Sequence, residues 1–423
     1  MNKYTIFSAI SGIMAVCFSA CEKEGNETFP EDQFIERKDF VLTRTDLDFI
    51  QENNGFALEL FKRVSEKEKG KSTLISPLSV TIDFGMVNNG AVGETQDEIN
   101  RVLGYPEGSV EELNAFCQSM LMQSVEVDPT STLNIANAAV VNNIFPPLND
   151  SFVKTAQFFY QTEVFYLEFD KDDVKGFINQ WCNEKTNGMI PDFLDIQPGR
   201  SEYAHFLNAV YFKGLWSHQF DKRDSKKEFF TREDGKRTGV NMMRQRGTFN
   251  LGSISNICST LCLPYGNQAY RMILLLPYEG KTIEDVKMVL NSETWNKMVQ
   301  EMRGFEVDVK LPAFETATDL LHLKDALRGI GIQKVFNPLE ADFSALANES
   351  YPFFIGDVLH KAKIKVDETG SEAAAITDIS IATTGINPAK SPVIEFHCDR
   401  PFLYAITEVS SGAIYFIGQY TGK

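Results

Sequence analysis

The sequence predicts an α+β fold in one large domain. Amphipathic helices and short apolar strands are interleaved in the first half, and the pattern becomes β-rich from residue 227 onward. The 423 residues are 43% hydrophobic and 12% aromatic, which is enough for a large packed core. No linker, low-complexity run or internal repeat follows residue 40. One interwoven domain over residues 43–423 is therefore the simplest prediction.

Apolar spacing and turn residues define the predicted elements. Apolar side chains at helical spacing predict an amphipathic helix over 47–64, and Pro77 marks the first turn of a helix that stops at Gly90. The most apolar runs predict central strands over 133–141 and 205–212. Further helices are predicted over 111–124, 152–160, 174–185, 283–289, 293–301 and 320–327, and further strands over 163–167, 257–263, 271–276, 305–311 and 358–366, with a hairpin over 402–417.

The N-terminus has the pattern of a targeting segment. Lys3 precedes an apolar stretch over 6–18, which is too short to span a bilayer comfortably. Ser19-Ala20-Cys21 resembles the lipobox of bacterial lipoproteins, and residues 22–42 then read as a polar tether. We expect a lipoprotein signal peptide over 1–21, lipidation of Cys21, and secretion across the inner membrane to the outer membrane, facing the periplasm or the exterior. The alternative is an ordinary signal peptide that is cleaved nearby.

Charge and cysteine content narrow the function classes. The net charge of −17 disfavours nucleic acid and anionic membranes as partners, so we expect membrane contact only through the lipid anchor. Five of the seven cysteines remain after removal of the signal and Cys21, and this odd, scattered set predicts no disulfide framework. Cys258 and Cys262 would lie about 13 Å apart in an extended strand. We interpret them as buried small hydrophobes rather than zinc ligands.

Known catalytic motifs are not found in the sequence. It has no Gly-x-Ser-x-Gly elbow and no His-Glu-x-x-His pair. Gly70-Lys71-Ser72 imitates the end of a phosphate loop, but Ser65 stands where the first glycine belongs. We predict that the protein is not an enzyme and has neither cofactor nor metal. A spatial Ser-His-Asp arrangement is the remaining enzyme alternative.

Residues 366–402 combine two conflicting signals. The first half, 371–383, alternates with a small or apolar face, as a half-buried strand does. The second half carries the loop residues Gly385, Pro388 and Pro392. A loop that can also become a strand indicates a device with two states.

Motifs spaced along residues 43–423 resemble the serpin family. They are Ser76-Pro77-Leu78-Ser79, Gly90-Ala91-x-Gly93-x-Thr95, Ile178-Asn179-x-Trp181, Leu207-Asn208-Ala209-Val210-Tyr211-Phe212-Lys213-Gly214-x-Trp216, Leu263-Pro264-Tyr265, Ala341-Asp342-Phe343-Ser344, His360-Lys361-Ala362, Glu368-x-Gly370-Ser371-Glu372-Ala373-Ala374 and Arg400-Pro401-Phe402. The resemblance implies three β-sheets, eight or nine α-helices and an exposed reactive-centre loop at about 368–392. It also implies a monomeric suicide-substrate inhibitor. A serine or cysteine protease would cleave the loop and form a covalent acyl complex, and the loop would then insert into the large sheet.

The resemblance also assigns the loop residues. The hinge that begins the insertion would comprise Glu368, Gly370, Ser371, Ala373, Ala374 and Ala375. The spacing from Gly370 places the scissile bond between Thr384 and Gly385, which suits elastase-like or subtilisin-like proteases. The neighbouring bonds at 382–383 and 383–384 remain alternatives. Lys390-Ser391 is a trypsin-like alternative that would lengthen the inserting segment by six residues.

Five further residues correspond to the places where the sheet opens. Ser76, Ser79, Asn208 and His360 would form the shutter beneath the large sheet, and Trp216 would lie in the breach where insertion begins. Ordinary core packing is the competing interpretation for all five. Residues 111–124 correspond to the heparin-binding segment of some members, but they lack Lys and Arg, so we expect no heparin binding. The second functional hypothesis is a non-inhibitory serpin that acts as a binding or structural protein.

Overall fold

The structure is a computed structural model that describes residues 36–105, 109–347, 351–371 and 392–423. Nine α-helices lie within these residues: α1 (Arg44–Lys67), α2 (Pro77–Asn88), α3 (Glu94–Leu103), α4 (Val110–Ser124), α5 (Asp150–Tyr160), α6 (Val174–Lys185), α7 (Ile283–Val289), α8 (Ser292–Glu301) and α9 (Lys324–Ile330). None of them is both long and apolar enough to cross a membrane.

The strands of the described residues form three sheets. In chain order they are β1 (Thr73–Ile75), β2 (Thr132–Asn142), β3 (Glu163–Leu167), β4 (Ala204–Leu215), β5 (Lys226–Thr231), β6 (Arg237–Ile254), β7 (Cys258–Pro264), β8 (Tyr270–Pro277), β9 (Arg303–Pro312), β10 (Phe314–Ala317), β11 (Leu321–His322), β12 (Leu359–His360), β13 (Lys363–Val366), β14 (Gly370–Ser371), β15 (Ile394–His397), β16 (Phe402–Glu408) and β17 (Ile414–Tyr420). The α+β fold class and the three sheets predicted from the sequence are confirmed. The predicted reactive-centre loop falls mainly on residues 372–391, outside the described residues.

A nine-stranded sheet and a six-stranded sheet carry most of the fold. The nine-stranded sheet has the order β1-β17-β16-β8-β7-β6-β9-β15, and β5 pairs with β6. The six-stranded sheet has the order β10-β13-β14-β4-β2-β3, and β11 and β12 form a separate pair. The described residues, from 36 onward, form one compact unit.

The centre of the six-stranded sheet is buried on both faces. Ala139 and Val141 of β2 join the main hydrophobic core, whereas Leu207 and Ala209 of β4 join a second core that contains Trp181 of α6. Asn208, which lies between them in β4, therefore faces the opposite side of the sheet, where α2 packs.

Helix α2 is apolar on nearly all sides, as a buried central helix must be. Its start is fixed by Ser76, whose hydroxyl accepts the backbone N–H of Ser79 at 3.3 Å, and by Pro77 at the first position of the helix. The cap thus places two serines at the end of α2 that contacts β4.

Three predicted boundaries differ in the structure. The segment predicted as a helix over 320–327 begins with the short strand β11, and the helix itself is α9 over 324–330. The strand predicted over 358–366 divides into β12 and β13, which belong to different sheets. The predicted tether over 22–42 ends earlier, because Phe40 is buried and its N–H donates to Ser410 Oγ at 2.9 Å.

Candidate functional site

The candidate site begins where β14 enters the six-stranded sheet. Gly370 pairs with Leu215 of β4, and Ser371 pairs with Gly214 of β4 and with Val366 of β13. Strand β14 therefore lies between β13 and β4, and both of its residues are buried. Among the described strand pairs, β14 is the one neighbour of β4 on that side. The first predicted hinge residues thus already form a short strand of the six-stranded sheet.

A tight turn leads from β13 into β14. Asp367 N–H donates to Gly370 O at 2.9 Å, and the backbone N–H and hydroxyl of Thr369 both donate to Asp367 Oδ1, at 2.9 and 2.6 Å. A Cβ atom on Gly370 would lie 2.0 Å from Gly214 O, and the φ of Gly370 is +155°. Only glycine permits this approach of the two backbones.

Trp216 and Tyr265 hold the turn and β14 in place. The N–H of Trp216 donates to Thr369 O and its Nε1 donates to Asp367 O, both at 2.9 Å. Its indole stacks on the Tyr265 ring at a centroid distance of 4.4 Å. The Tyr265 hydroxyl lies 2.8 Å from Ser371 Oγ. The predicted breach tryptophan therefore contacts the predicted hinge directly.

Glu368 is also fixed at the start of the hinge. Asn241 Nδ2 donates to Glu368 Oε1 at 2.8 Å, and Phe220 N–H donates to Glu368 O at 2.9 Å. The sequence places the exposed loop from about 368, but the structure buries residues 368–371. Burial is possible because the side chains of Glu368, Thr369 and Ser371 and the carbonyls of Glu368 and Thr369 have hydrogen-bond partners.

The four predicted shutter residues form a second cluster beneath the sheet. Ser79 Oγ donates to Asn208 Oδ1, and Asn208 Nδ2 donates to Asn137 Oδ1 at 2.6 Å. Ser76 N–H donates to His360 Nε2 at 3.1 Å. The cluster therefore links α2 to β4 and β2 of the six-stranded sheet and to β12.

His360 takes part in this cluster as a neutral imidazole. Its side chain is buried, and burial lowers the pKa of His360 to about 4. A neutral ring leaves Nε2 free to accept the Ser76 N–H, which a protonated ring could not do.

The structure thus brings the described candidate residues into two groups. One group lies at the end of β4 that pairs with β14 and contains Glu368, Gly370, Ser371 and Trp216. The other group lies about six residues, or about 20 Å, farther along β4 and contains Ser76, Ser79, Asn208 and His360. The predicted Ala373, Ala374, Ala375, Thr384, Gly385 and Cys21 lie outside the described residues.

Three contributing residues were not predicted as site residues from the sequence. Tyr265 holds Ser371, Asn241 holds Glu368, and Asn137 extends the shutter to β2, where its Nδ2 donates to Tyr160 O at 2.6 Å. Each acts through a contact with a distant part of the chain. A buried asparagine in an apolar strand run was the available signal for Asn137.

The described residues contain five free cysteines, all buried, as predicted for Cys258 and Cys262. Burial raises the pKa of Cys258 to about 12, which keeps that thiol protonated and unreactive. No group of three or more His, Cys, Asp or Glu within the described residues is arranged to hold a metal ion.

Comparison with known proteins identifies the family of this architecture. The family model Serpin (serine protease inhibitor) matches residues 51–422. The chain is a member of the serpin family. It is similar to Iripin-8 of Ixodes ricinus, with 32% identity over 87% of this chain and 92% of that protein. It is also similar to leukocyte elastase inhibitor A of Rattus norvegicus, with 31% identity over 87% of this chain and 97% of that protein.

A solved serpin structure shares the whole architecture. The thermophilic serpin tengpin in its native state has a TM-score of 0.79 to this chain, with 26% identity over 92% of this chain and 97% of tengpin. The family is one of protease inhibitors rather than catalysts. The Trp216 group thus contains the predicted breach and hinge residues that the structure describes, and the Ser79–Asn208 group contains the predicted shutter residues.

Proposed function

We propose that this serpin is a suicide-substrate inhibitor of elastase-like or subtilisin-like serine proteases, with cysteine proteases as a second target class. The observation that supports this proposal is β14. The hinge begins a strand between β13 and β4, and the edge of β4 beyond Gly214 has no described partner on that side. A longer strand would complete the ladder and satisfy those backbone groups.

The chemistry requires one bond of the loop to be attacked. The nucleophilic oxygen or sulfur of the protease adds to the carbonyl carbon of Thr384, the amine of Gly385 leaves with a proton, and an acyl-enzyme remains. Water would normally hydrolyse this ester or thioester. Insertion of the freed segment before hydrolysis carries the protease away from its productive geometry and retains the covalent complex.

The register of β14 supports the position of the bond. Strand β14 is antiparallel to β4, with Gly370 opposite Leu215 and Ser371 opposite Gly214. If the strand continued in this register, the twelve residues of β4 would pair with residues 370–381. A bond after Thr384 leaves a three-residue link between the new strand and the protease. A bond after Lys390 leaves nine residues, a looser tether that would favour hydrolysis and release. The register therefore favours Thr384–Gly385 and its near neighbours.

The inhibitory activity can be tested with purified protein and both protease types. We expect an SDS-resistant complex with at least one elastase-like or subtilisin-like enzyme, and a released peptide that begins at Gly385. Ser371→Glu should be cleaved at the same bond without a stable complex, because a charge at the buried position beside Tyr265 would prevent β14, the start of the inserting strand, from forming. Ser371→Thr is the matched control and should keep the activity. Cleavage of the native protein without any complex would instead favour the non-inhibitory alternative.

We further propose that Cys21 is lipidated and that residues 22 to about 39 tether the inhibitor to the bacterial outer membrane. Lys3, the apolar stretch over 6–18 and Ser19-Ala20-Cys21 support this localisation. Cys21→Ser should abolish incorporation of radiolabelled palmitate and release the protein from the membrane fraction. A Cys21→Ser protein that remains in that fraction would contradict the proposal.

A further inference from the structure

The hairpin of β5 and β6 has a positive net charge, whereas the chain as a whole is strongly negative. Residues 222–246 contain nine Lys or Arg and four Asp or Glu, a net charge of +5, whereas the whole chain carries −17. Five of these cations have a carboxylate within ion-pair distance, namely Arg223, Arg232, Lys236, Arg244 and Arg246. Lys222, Lys226, Lys227 and Arg237 have no such partner among the described residues.

One face of the hairpin presents an exposed aromatic ring between two of these free cations. In the β5–β6 register Thr231 pairs with Arg237, Phe229 with Gly239 and Lys227 with Asn241, so the odd-numbered residues share a face. Phe229 is 56% exposed, and the Arg237 guanidinium lies 4.2 Å from its ring centroid. We call Lys227, Phe229 and Arg237 the hairpin patch.

The hairpin patch is continuous with the hinge. Asn241, the residue opposite Lys227, donates through Nδ2 to Glu368 Oε1 at 2.8 Å. The start of the predicted loop, at Glu368, therefore contacts the same hairpin that carries the patch.

We propose that the hairpin patch is an exosite that binds an acidic surface with an apolar edge on the target protease. An exposed aromatic ring stacked with Arg is typical of the residues that dominate protein–protein binding energy. The two free cations favour a partner of negative charge and would accelerate its association. The proposal rests on the proposed inhibitory function, since it names a second contact with the same protease.

A protein partner fits the patch better than a nucleic acid or a sulfated polysaccharide. Polyanions bind through many simultaneous phosphate or sulfate contacts, and a chain of net charge −17 repels them. The patch offers two cations, and Glu233 and Asp234 lie in the turn beside Arg237. Phe229 would add no affinity for a helical backbone of phosphates.

The test separates attack on the loop from trapping of the protease. The second-order rate constant for loop attack is measured with an acidic subtilisin-type protease and with a basic one, and the stoichiometry of inhibition is measured separately. Lys227→Glu and Arg237→Glu should each slow attack by the acidic enzyme about tenfold at low salt. The difference should shrink in 0.5 M salt, where charges are screened. Phe229→Ala should slow the attack at both salt concentrations.

Lys154→Glu on α5 is the matched control, because it makes the same change of net charge at another exposed lysine. Equal rates for Lys227→Glu, Arg237→Glu and the native protein would overturn the exosite, as would an equal loss in Lys154→Glu. Heparin binding that is lost in Lys227→Glu while the attack rate is unchanged would identify a polyanion site instead. If the native protein is cleaved without trapping, the inhibitory function fails, but the ratio of attack rates still decides the exosite.

Discussion

One of the contacts that join the predicted hinge to the body of the protein is a pair of hydroxyls. Tyr265 and Ser371 lie 106 positions apart in the chain, are both buried, and approach to 2.8 Å. A buried hydroxyl that loses its partner costs about 1–3 kcal/mol. The position of β14 therefore depends in part on one phenolic oxygen.

We expect Tyr265→Phe to loosen β14 without unfolding the protein. The ring would still stack on Trp216, but Ser371 Oγ would lose its partner. Hydrogen exchange at residues 370–371 should become faster by roughly tenfold, which corresponds to about 1.4 kcal/mol. Tyr278→Phe, at an exposed tyrosine, should leave this exchange unchanged. Unchanged exchange in Tyr265→Phe would show that the Trp216 contacts alone hold the hinge.

His360 gives the shutter a pH dependence with a definite sign. Its pKa is about 4 in the folded protein and 6.5 in the unfolded chain, so the unfolded chain binds more protons between these values. The stability from the neutral ring is complete above pH 6.5 and is lost as the pH falls toward 4, by about 3 kcal/mol in total. His360→Gln, which does not titrate, should flatten the melting temperature over this range. Parallel pH profiles for the two proteins would contradict this role.

At the scale of elements, sequence periodicity correctly predicted the helices and strands whose structure is determined by their own residues. The helix over 47–64 lies within α1, and the strand over 133–141 lies within β2, because each has a long apolar pattern of one period. The predicted boundaries are wrong where pairing with a distant strand determines the secondary structure. Leu321 is a strand residue because it pairs with His360, and this same pairing separates β12 from β13.

The contact between α2 and β4 can be measured as a coupling energy. Ser79→Ala and Asn208→Ala should each destabilise the protein by about 1–3 kcal/mol, because each leaves a buried polar partner without a hydrogen bond. The double variant should lose at least 1 kcal/mol less than the sum, as expected for residues in contact. Urea unfolding of the uncleaved protein measures all three values. As a control, the losses of stability from Ser79→Ala and Lys154→Ala should add in the double variant. Additive losses for Ser79→Ala and Asn208→Ala would show that these two residues do not couple α2 to β4.

For the whole molecule, the sequence identified residues that meet in the fold better than it described how those residues are packed. Ordered motifs predicted the hinge at Glu368 and the breach at Trp216, and the structure places these residues together. The docking of Ser371 between β13 and β4 was not predictable, because it depends on contacts of residues 368–371 with Tyr265 and Asn241, which lie more than a hundred positions earlier in the chain. A local sequence pattern indicates which face of a helix or strand is buried, whereas the contacts between elements can be read only from the folded structure.

The largest expected effect is the response of the whole molecule to cleavage of the loop. If residues after Ser371 extend β14 along β4 as far as Ala204, about ten residues join a central strand. At about 1 kcal/mol for each new hydrogen bond, the gain is on the order of 10 kcal/mol. This should raise the melting temperature by about 10 °C or more, given the unfolding entropy of a protein of this size.

A metalloprotease provides the clean measurement, because it cleaves without an acyl-enzyme and is not trapped. Loop-cleaved native protein should melt well above the intact protein in calorimetry. Ser371→Glu cleaved at the same bond should show a much smaller rise, since a carboxylate is not tolerated in the buried position beside Tyr265 and β14 would not form as the start of the new strand. If cleaved and intact native protein melt at the same temperature, the loop does not insert, and trapping of a protease by this mechanism is ruled out.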